Sequence, residues 1–134
     1  MALTVWDTLR DRKAPLEPVE PGRVGMYVCG MTVQGPPHVG HMRAYVVADL
    51  IRRVLRARGY HVTLVQNITD IDDKIIAKSA EAGRDWREWA EENIAAYFTA
   101  ADWLGIERAD VYPRATEHIP DILSMISDLV GKGH

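Results

Sequence analysis

The stretch Val24–His41 reads VGMYVCGMTVQGPPHVGH, and it decides the fold of this 134-residue chain. Its first part, Val24–Cys29, is apolar and β-prone, which predicts a buried strand. The next part, Gly30–Pro37, contains two glycines and two prolines and predicts a loop, since these residues continue neither a strand ladder nor a helix. From His38 onward the apolar residues recur at helical spacing. A strand, a loop and the start of a helix therefore follow one another directly.

The helix is predicted to span residues 38–58, and Gly59 supplies a natural C-terminal stop. A second β-like run, His61–Asn67, follows it. Two buried strands joined by a long amphipathic helix are typical of a βαβ unit with parallel strands. The sequence therefore predicts an α/β fold, a partial Rossmann-like nucleotide-binding fold in which residues 1–75 form the βαβ unit. The arginines of the helix are predicted to form a solvated face: Arg52, Arg53, Arg56 and Arg58.

Residues 76–134 are predicted to be mainly helical, with segments near 72–82, 85–104 and 117–130. Asp85 and Asp110 are candidate N-caps, a position that aspartate favours. The tryptophans of this half are predicted to pack in the core rather than to stack on a nucleobase: Trp86, Trp89 and Trp103. Ahead of the βαβ unit, residues 2–8 predict a short strand and residues 11–22 a surface connection.

The composition bounds the class of protein. Hydrophobic residues make up 47% of the chain and charged residues 26%, as in an ordinary globular domain. A net charge of -3 argues against nucleic-acid binding by bulk electrostatics. The single cysteine cannot form an internal disulfide. With neither a signal peptide nor an apolar run of about 20 residues, we expect a cytoplasmic protein without a membrane partner.

The HVGH motif at residues 38–41 is the most specific feature. The first turn of a helix has unsatisfied backbone N–H groups and the positive end of the helix dipole, so it favours phosphate. His38 and His41 are three residues apart and share a face, where each can donate a hydrogen bond to a phosphate oxygen. Gly40 lets the backbone or a nucleotide come close. The alternative is that these histidines merely cap the helix or bind a metal.

Cys29 ends the first predicted strand, next to the same loop. A free cysteine is most often a small buried hydrophobe. Two functional roles compete with that one: a nucleophile, which needs a base such as His38 or His41, and a zinc ligand, which needs about three partners. The sequence around Cys29 leaves all three open.

The run NITDIDDKI at residues 67–75 follows the second predicted strand. Short polar side chains at a strand's carboxyl end suit ligand contacts. Asp70, Asp72 and Asp73 resemble an Asp-rich magnesium loop, but acidic residues also favour the start of a helix. The helix start explains Asp72 and Asp73 and leaves Asn67 and Thr69 unexplained.

Three separated stretches resemble cysteinyl-tRNA synthetases: Tyr27–Arg43, Gly59–Tyr60 leading into Asn67–Ile75, and Pro113–Ile119. They occur in the family's order, and the resemblance covers essentially the whole chain. It implies the nucleotide-binding fold of a class I (HUP-type) synthetase, of which residues 1–134 form the N-terminal half of the catalytic domain.

The resemblance also implies roles for individual residues. His38 and His41 correspond to the catalytic histidines that stabilise the transition state of amino-acid activation, and together with Gly40 they are expected to bind ATP. Cys29 corresponds to the first ligand of a zinc ion that binds the thiol of the substrate. The cysteine pocket is expected to be lined by Gly30, Thr32 and Thr69.

The implied reaction is the ATP-dependent activation of L-cysteine to cysteinyl-adenylate and its transfer to tRNA(Cys), with Mg²⁺ accompanying ATP. The family's lysine-rich KMSKS loop, its other three zinc ligands and its anticodon-binding region have no counterpart here. The chain alone is therefore expected to be incomplete: a truncated chain, a proteolytic fragment, one part of a split protein that partners the remainder, or a small stand-alone relative. Two other functions stay open, a cysteine ligase of the mycothiol-synthesis type and a non-catalytic nucleotide-binding fragment.

Overall fold

The structure, a computed structural model, describes residues 3–134. The strands are Thr4–Asp7 (β1), Arg12–Pro15 (β2), Arg23–Val28 (β3) and His61–Gln66 (β4). The helices are Val39–Ala57 (α1), Asp73–Glu81 (α2), Trp86–Trp103 (α3) and Ile119–Gly131 (α4), with a 3₁₀ turn at Ala115–His118 before the last. In these described residues no helix is long and apolar enough to cross a bilayer.

The predicted βαβ unit is confirmed. β3 and β4 pair in parallel, in a register that runs from Arg23 opposite His61 to Val28 opposite Gln66. Alternate residues of β4 are buried, because one face of the strand packs against the core. A long helix, α1, makes the crossover that a parallel pair requires.

β4 has a second parallel neighbour that the sequence analysis missed. Val65 bridges Val111 and Ile68 bridges Arg114, both in parallel. The Gln66 N–H donates to the Val111 carbonyl oxygen at 3.0 Å, and the Ile68 N–H donates to the Pro113 carbonyl oxygen at 2.8 Å. Residues 111–114 thus extend the sheet beyond β4, within the part of the chain that was predicted to be mainly helical. We call them the third segment.

α1 joins two hydrophobic clusters, one at each end of the sheet. Its first half contributes Met42 and Tyr45 to the larger cluster, and its second half contributes Leu55 to the smaller. The larger cluster also contains Met31, Val33, Ile68, Ile75, Ala90, Ile94, Tyr97 and Ala101, and the smaller contains Val24 and Val62. The loop after β3 is therefore packed on the same core as α2 and α3.

The predicted solvated face is wrong for Arg52. The residue is 2% exposed, and its guanidinium donates to the Arg108 carbonyl oxygen and to both carboxylate oxygens of Asp110, the latter at 3.0 and 2.9 Å. Asp110 also accepts from the Leu64 N–H of β4 at 2.6 Å. Asp110 is therefore not a helix cap, because it anchors the third segment to α1 and β4. The other three arginines of the predicted face, Arg53, Arg56 and Arg58, are exposed as predicted.

Two further expectations are corrected, and two are confirmed. The 11–22 connection contains β2, which forms an antiparallel hairpin with β1. Trp103 is 85% exposed, because it ends α3 on a face away from the core. Trp86 and Trp89 pack against the larger cluster as predicted, and Asp85 caps α3 by accepting from two backbone N–H groups.

Candidate nucleotide-binding site

The loops that leave β3 and β4 are held against each other at the carboxyl edge of the sheet. The Gly30 N–H donates to Asn67 Oδ1 at 2.7 Å, and Asn67 Nδ2 donates to Thr69 Oγ1 at 3.2 Å. Thr32 and Thr69 form a parallel bridge. The expected pocket residues Gly30, Thr32 and Thr69 therefore do come together.

Asn67 is the residue that holds them, a role the sequence analysis did not assign. Its side chain spans from the backbone of Gly30 to the hydroxyl of Thr69. A Cβ at position 30 would lie 1.7 Å from the Asn67 carbonyl oxygen, so only glycine fits there. The signal in the sequence was an asparagine at a strand end with no helix-start role, which pointed to a contact but not to its partner.

His38 and His41 form a reciprocal cap at the start of α1. His38 is the N-cap, and its Nδ1 accepts from the Gly40 N–H at 3.1 Å. His41 lies three residues on, and its Nδ1 accepts from the His38 N–H at 3.3 Å. Two orphan donors of the helix start are thereby satisfied, as in a capping box. The capping role that the sequence left as an alternative is confirmed, while phosphate binding stays a prediction.

The two imidazole rings are stacked on each other. Their centroids are 3.6 Å apart and the ring planes differ by 24°. Burial lowers the pKa of His41, and the neighbouring His38 lowers it further. A Cβ at Gly40 would lie 3.0 Å from the His38 ring, so this glycine makes room for the cap.

Cys29 carries an exposed thiol, so the buried-hydrophobe interpretation is wrong. Its Sγ lies 3.7 Å from the Gly30 carbonyl oxygen. The buried Tyr45 is close to it: burial raises the pKa of Tyr45 to about 12, and the nearby Cys29 contributes to the rise. The nucleophile interpretation stays a hypothesis. It needs a base for the thiol, and the Nδ1 atoms of His38 and His41 are already occupied as acceptors of backbone N–H groups.

A zinc ion would need more ligands than this site supplies. Within residues 3–134 there is no group of three or more His, Cys, Asp or Glu side chains that could hold a metal ion. Zinc takes four ligands in structural sites and three with an open position in catalytic ones. Cys29 can therefore act as one ligand, and the described residues do not complete the site.

The aspartates after β4 have structural partners. Asp72 caps α2 by accepting from the Lys74 N–H at 2.9 Å, and Asp73 lies in the first turn, so the helix-start interpretation is confirmed. Asp70 is buried and accepts from the Thr116 N–H at 3.0 Å and from its hydroxyl at 2.6 Å. Asp70 therefore ties the NITDIDDKI motif to the PRATEHI motif at residues 113–119.

Residues 15–134 match the sequence model of the family described as the class I (C) tRNA synthetase catalytic domain. The chain belongs to this family. In this family's fold the HVGH motif begins the helix that follows parallel strand β3, and α/β sheets bind ligands at the carboxyl ends of their strands. The resemblance found in the sequence is thereby confirmed.

The chain is similar to curated members of the family over its whole length. It is 50% identical to a cysteine–tRNA ligase of Gloeobacter violaceus over 100% of this chain and 28% of that protein. It is 52% identical to one of Ralstonia pickettii over 98% of this chain and 28% of that protein. The chain therefore spans about 28% of the length of these relatives.

Two solved synthetase structures share the fold. A methionyl-tRNA synthetase of Mycobacterium tuberculosis, in complex with methionyl-adenylate, has a TM-score of 0.62 and 26% identity over 69% of this chain and 18% of that one. The LeuRS of Agrobacterium radiobacter K84, in a ternary complex with tRNA and LeuAMS, has a TM-score of 0.71 and 22% identity over 87% of this chain and 15% of that one. The second likeness concerns the fold alone.

Proposed function

We propose that this chain binds the phosphates of ATP and one side of L-cysteine, as the first part of a cysteine–tRNA ligase catalytic domain. The observation that carries the proposal is the histidine pair at the N-terminus of α1. Its two rings are stacked beside helix N–H groups, at the start of the helix that follows parallel strand β3. Fixed hydrogen-bond donors and a helix dipole favour a polyphosphate at this position.

The proposed reaction is attack of a cysteine carboxylate oxygen on the α-phosphorus of ATP. A new P–O bond forms to the carboxylate, the bond to the β,γ-diphosphate breaks, and pyrophosphate leaves with that electron pair. His38 and His41 stabilise the charge on the transferring phosphoryl group, and the rest of the catalysis is positioning. Magnesium would accompany ATP and would supply positive charge to its phosphate groups, since this cation prefers hard oxygen ligands. The cysteinyl group is then transferred to tRNA(Cys) in the complete enzyme.

The cysteine pocket is proposed to lie where Gly30, Thr32 and Thr69 meet. Cys29 is proposed as one ligand of a zinc ion, a soft metal partner that would favour a substrate thiol over a hydroxyl. Because the described residues do not complete the zinc site, no step is assigned to the metal. Stoichiometric zinc uptake by the 134-residue chain at micromolar metal would contradict this single-ligand assignment.

ATP binding by equilibrium dialysis tests the phosphate site. We expect His38→Ala and His41→Ala each to weaken ATP binding by about tenfold or more, since each removes a hydrogen bond to a charged group. His61→Ala is the matched control, because His61 is exposed and begins β4, whereas the loops of the site leave the carboxyl ends of the strands. An unchanged affinity in both site variants would overturn the assignment.

Amino-acid-dependent ATP–pyrophosphate exchange tests the reaction, with cysteine, serine and no amino acid compared. Exchange with cysteine alone supports activation of cysteine by this chain, and tRNA(Cys) and amino-sugar acceptors then separate the two ligase functions. Equal exchange with serine would contradict the proposed pocket. ATP binding without any exchange would show that the 134-residue chain binds the nucleotide but needs the rest of the catalytic domain for the reaction.

A further inference from the structure

We infer that the helix cap fixes both imidazoles of the HVGH motif as the Nε2–H tautomer, so that His38 and His41 contact phosphate as neutral donors through Nε2. This inference rests on the proposed function for the phosphate contact, but not for the tautomer. It assigns to each histidine two separate tasks on opposite sides of its ring.

The tautomer follows from the partners of Nδ1. The Gly40 N–H donates to His38 Nδ1 at 3.1 Å, and the His38 N–H donates to His41 Nδ1 at 3.3 Å. A backbone N–H can only donate, so both Nδ1 atoms must be unprotonated acceptors. A neutral imidazole with an acceptor Nδ1 carries its proton on Nε2. Both rings therefore present a donor on the side away from the cap.

The neutral state follows from the cap and from the stacking. Protonating either Nδ1 would remove an acceptor and leave a backbone N–H at the helix start without its partner. Charging both rings would also place two cations with centroids 3.6 Å apart, beside the positive end of α1. Burial and His38 lower the pKa of His41, in the same direction. The cap geometry therefore favours hydrogen-bond donation by uncharged rings.

Asparagine and glutamine separate the two tasks of the His38 ring, and they isolate the distal donor of His41. Asparagine places its Oδ1 where Nδ1 lies, so His38→Asn keeps the cap and removes the distal donor; asparagine is itself a favoured N-cap. Glutamine reaches further and can place an N–H donor near the position of Nε2, but at position 38 it gives up the cap. His41 is at the N3 position, where both asparagine and glutamine offer a side-chain oxygen that can accept from the His38 N–H, so the two substitutions there differ only in the distal donor.

The first measurement is the long-range ¹H–¹⁵N spectrum of the histidine rings in the ¹⁵N-labelled chain at pH 7.5, without nucleotide. We expect unmixed Nε2–H patterns for His38 and His41, whereas the exposed His61 and His134 serve as reference rings that exchange between tautomers. A Nδ1–H pattern, a tautomer mixture or an imidazolium pattern at either position would overturn the inference. Because no ATP is present, this result is independent of the proposed function.

The second measurement is ATP binding together with the melting temperature in the four variants. We expect His38→Asn and His41→Asn to melt near the parent protein and to bind ATP about tenfold more weakly or worse. We expect His38→Gln to melt lower than His38→Asn, and His41→Gln to melt near the parent because glutamine at this position can still accept from the His38 N–H. Both glutamine variants should retain more ATP affinity than the asparagine variants. Equal loss of ATP affinity in both series would show that imidazolium charge carries binding. Absence of ATP binding by the parent chain would instead count against the proposed function alone.

Discussion

Replacing Gly30 by alanine tests the contact that holds the two loops of the site together. A Cβ at position 30 would lie 1.7 Å from the Asn67 carbonyl oxygen and 2.8 Å from its carbonyl carbon. Cβ atoms in proteins essentially never approach non-bonded atoms within 3.0 Å. The Cβ and the Asn67 carbonyl oxygen must therefore move apart by 3.0 minus 1.7, or about 1.3 Å. Both sides of this contact are backbone, so no side chain can rotate away to relieve it.

The expected magnitude follows from what such a movement breaks. Forcing an extra carbon into a packed contact costs about 1–3 kcal/mol. The shift also breaks the bond from the Gly30 N–H to Asn67 Oδ1, and a hydrogen bond contributes about 1 kcal/mol. Movement of the Thr32–Thr69 bridge adds a similar amount. We therefore expect Gly30→Ala to lower the free energy of unfolding by about 3–5 kcal/mol.

Urea unfolding followed by tryptophan fluorescence and circular dichroism measures this change. Gly35→Ala is the matched control, because Gly35 lies in the same loop and an added Cβ there meets nothing within 4 Å. We expect the control to stay within about 0.5 kcal/mol of the parent. A loss below about 1 kcal/mol in Gly30→Ala, or equal losses in the two variants, would refute the steric reasoning.

Three other predictions concern the Arg52–Asp110 ion pair and the loop after β3. Arg52→Met should lower the free energy of unfolding by about 2 kcal/mol, because the Arg108 carbonyl oxygen and the partly exposed Asp110 carboxylate both lose their donor. Arg56→Met, at a pair in which both side chains are exposed, should cost below about 1 kcal/mol, and chemical denaturation compares the two variants. The pKa of Asp110 is lowered by a hydrogen bond from a β4 amide and then by Arg52, so its stabilisation is complete above the ordinary carboxyl pKa and is lost as the pH falls through the lowered one. The difference in unfolding free energy between the parent and Asp110→Asn should therefore be constant above about pH 5 and shrink in acid, and a constant difference down to about pH 2 would contradict it. Trp89→Phe should cost about 1 kcal/mol and speed amide exchange in the 30–37 loop, because the indole N–H donates to the Gln34 carbonyl oxygen at 3.1 Å; unchanged exchange would count against this anchor.

The elements of the βαβ unit could be predicted because their signals are local. β3, α1 and β4 each carry their own period of apolar residues within one segment, and Gly59 marks the end of the helix. The start of α2 was also predictable, since Asp72 caps a backbone group two residues away. The HVGH motif could be recognised as a helix start for the same reason, because both of its caps span at most three residues.

The contacts between distant residues could not be predicted in this way. The third segment has too few residues in register with β4 to show a strand period, so its pairing appears only when the chain is folded. Arg52 and Asp110 are 58 residues apart, and an arginine among three exposed arginines gives no sign that it alone is buried. The position of Asn67 at a strand end likewise indicated a contact but not its partner, because Gly30 lies 37 residues away in the chain.

The sequence by itself determined the α/β class, the family and the position of the histidine pair at the start of α1. Periodicity, capping and motif spacing are properties of neighbouring residues, and they can be identified without knowledge of the fold. Only the tertiary structure decided which polar side chains are buried, which backbone groups they hold, and why alanine cannot replace Gly30. Those outcomes depend on distances between residues far apart in the chain, and packing fixes such distances only when the whole sheet is assembled.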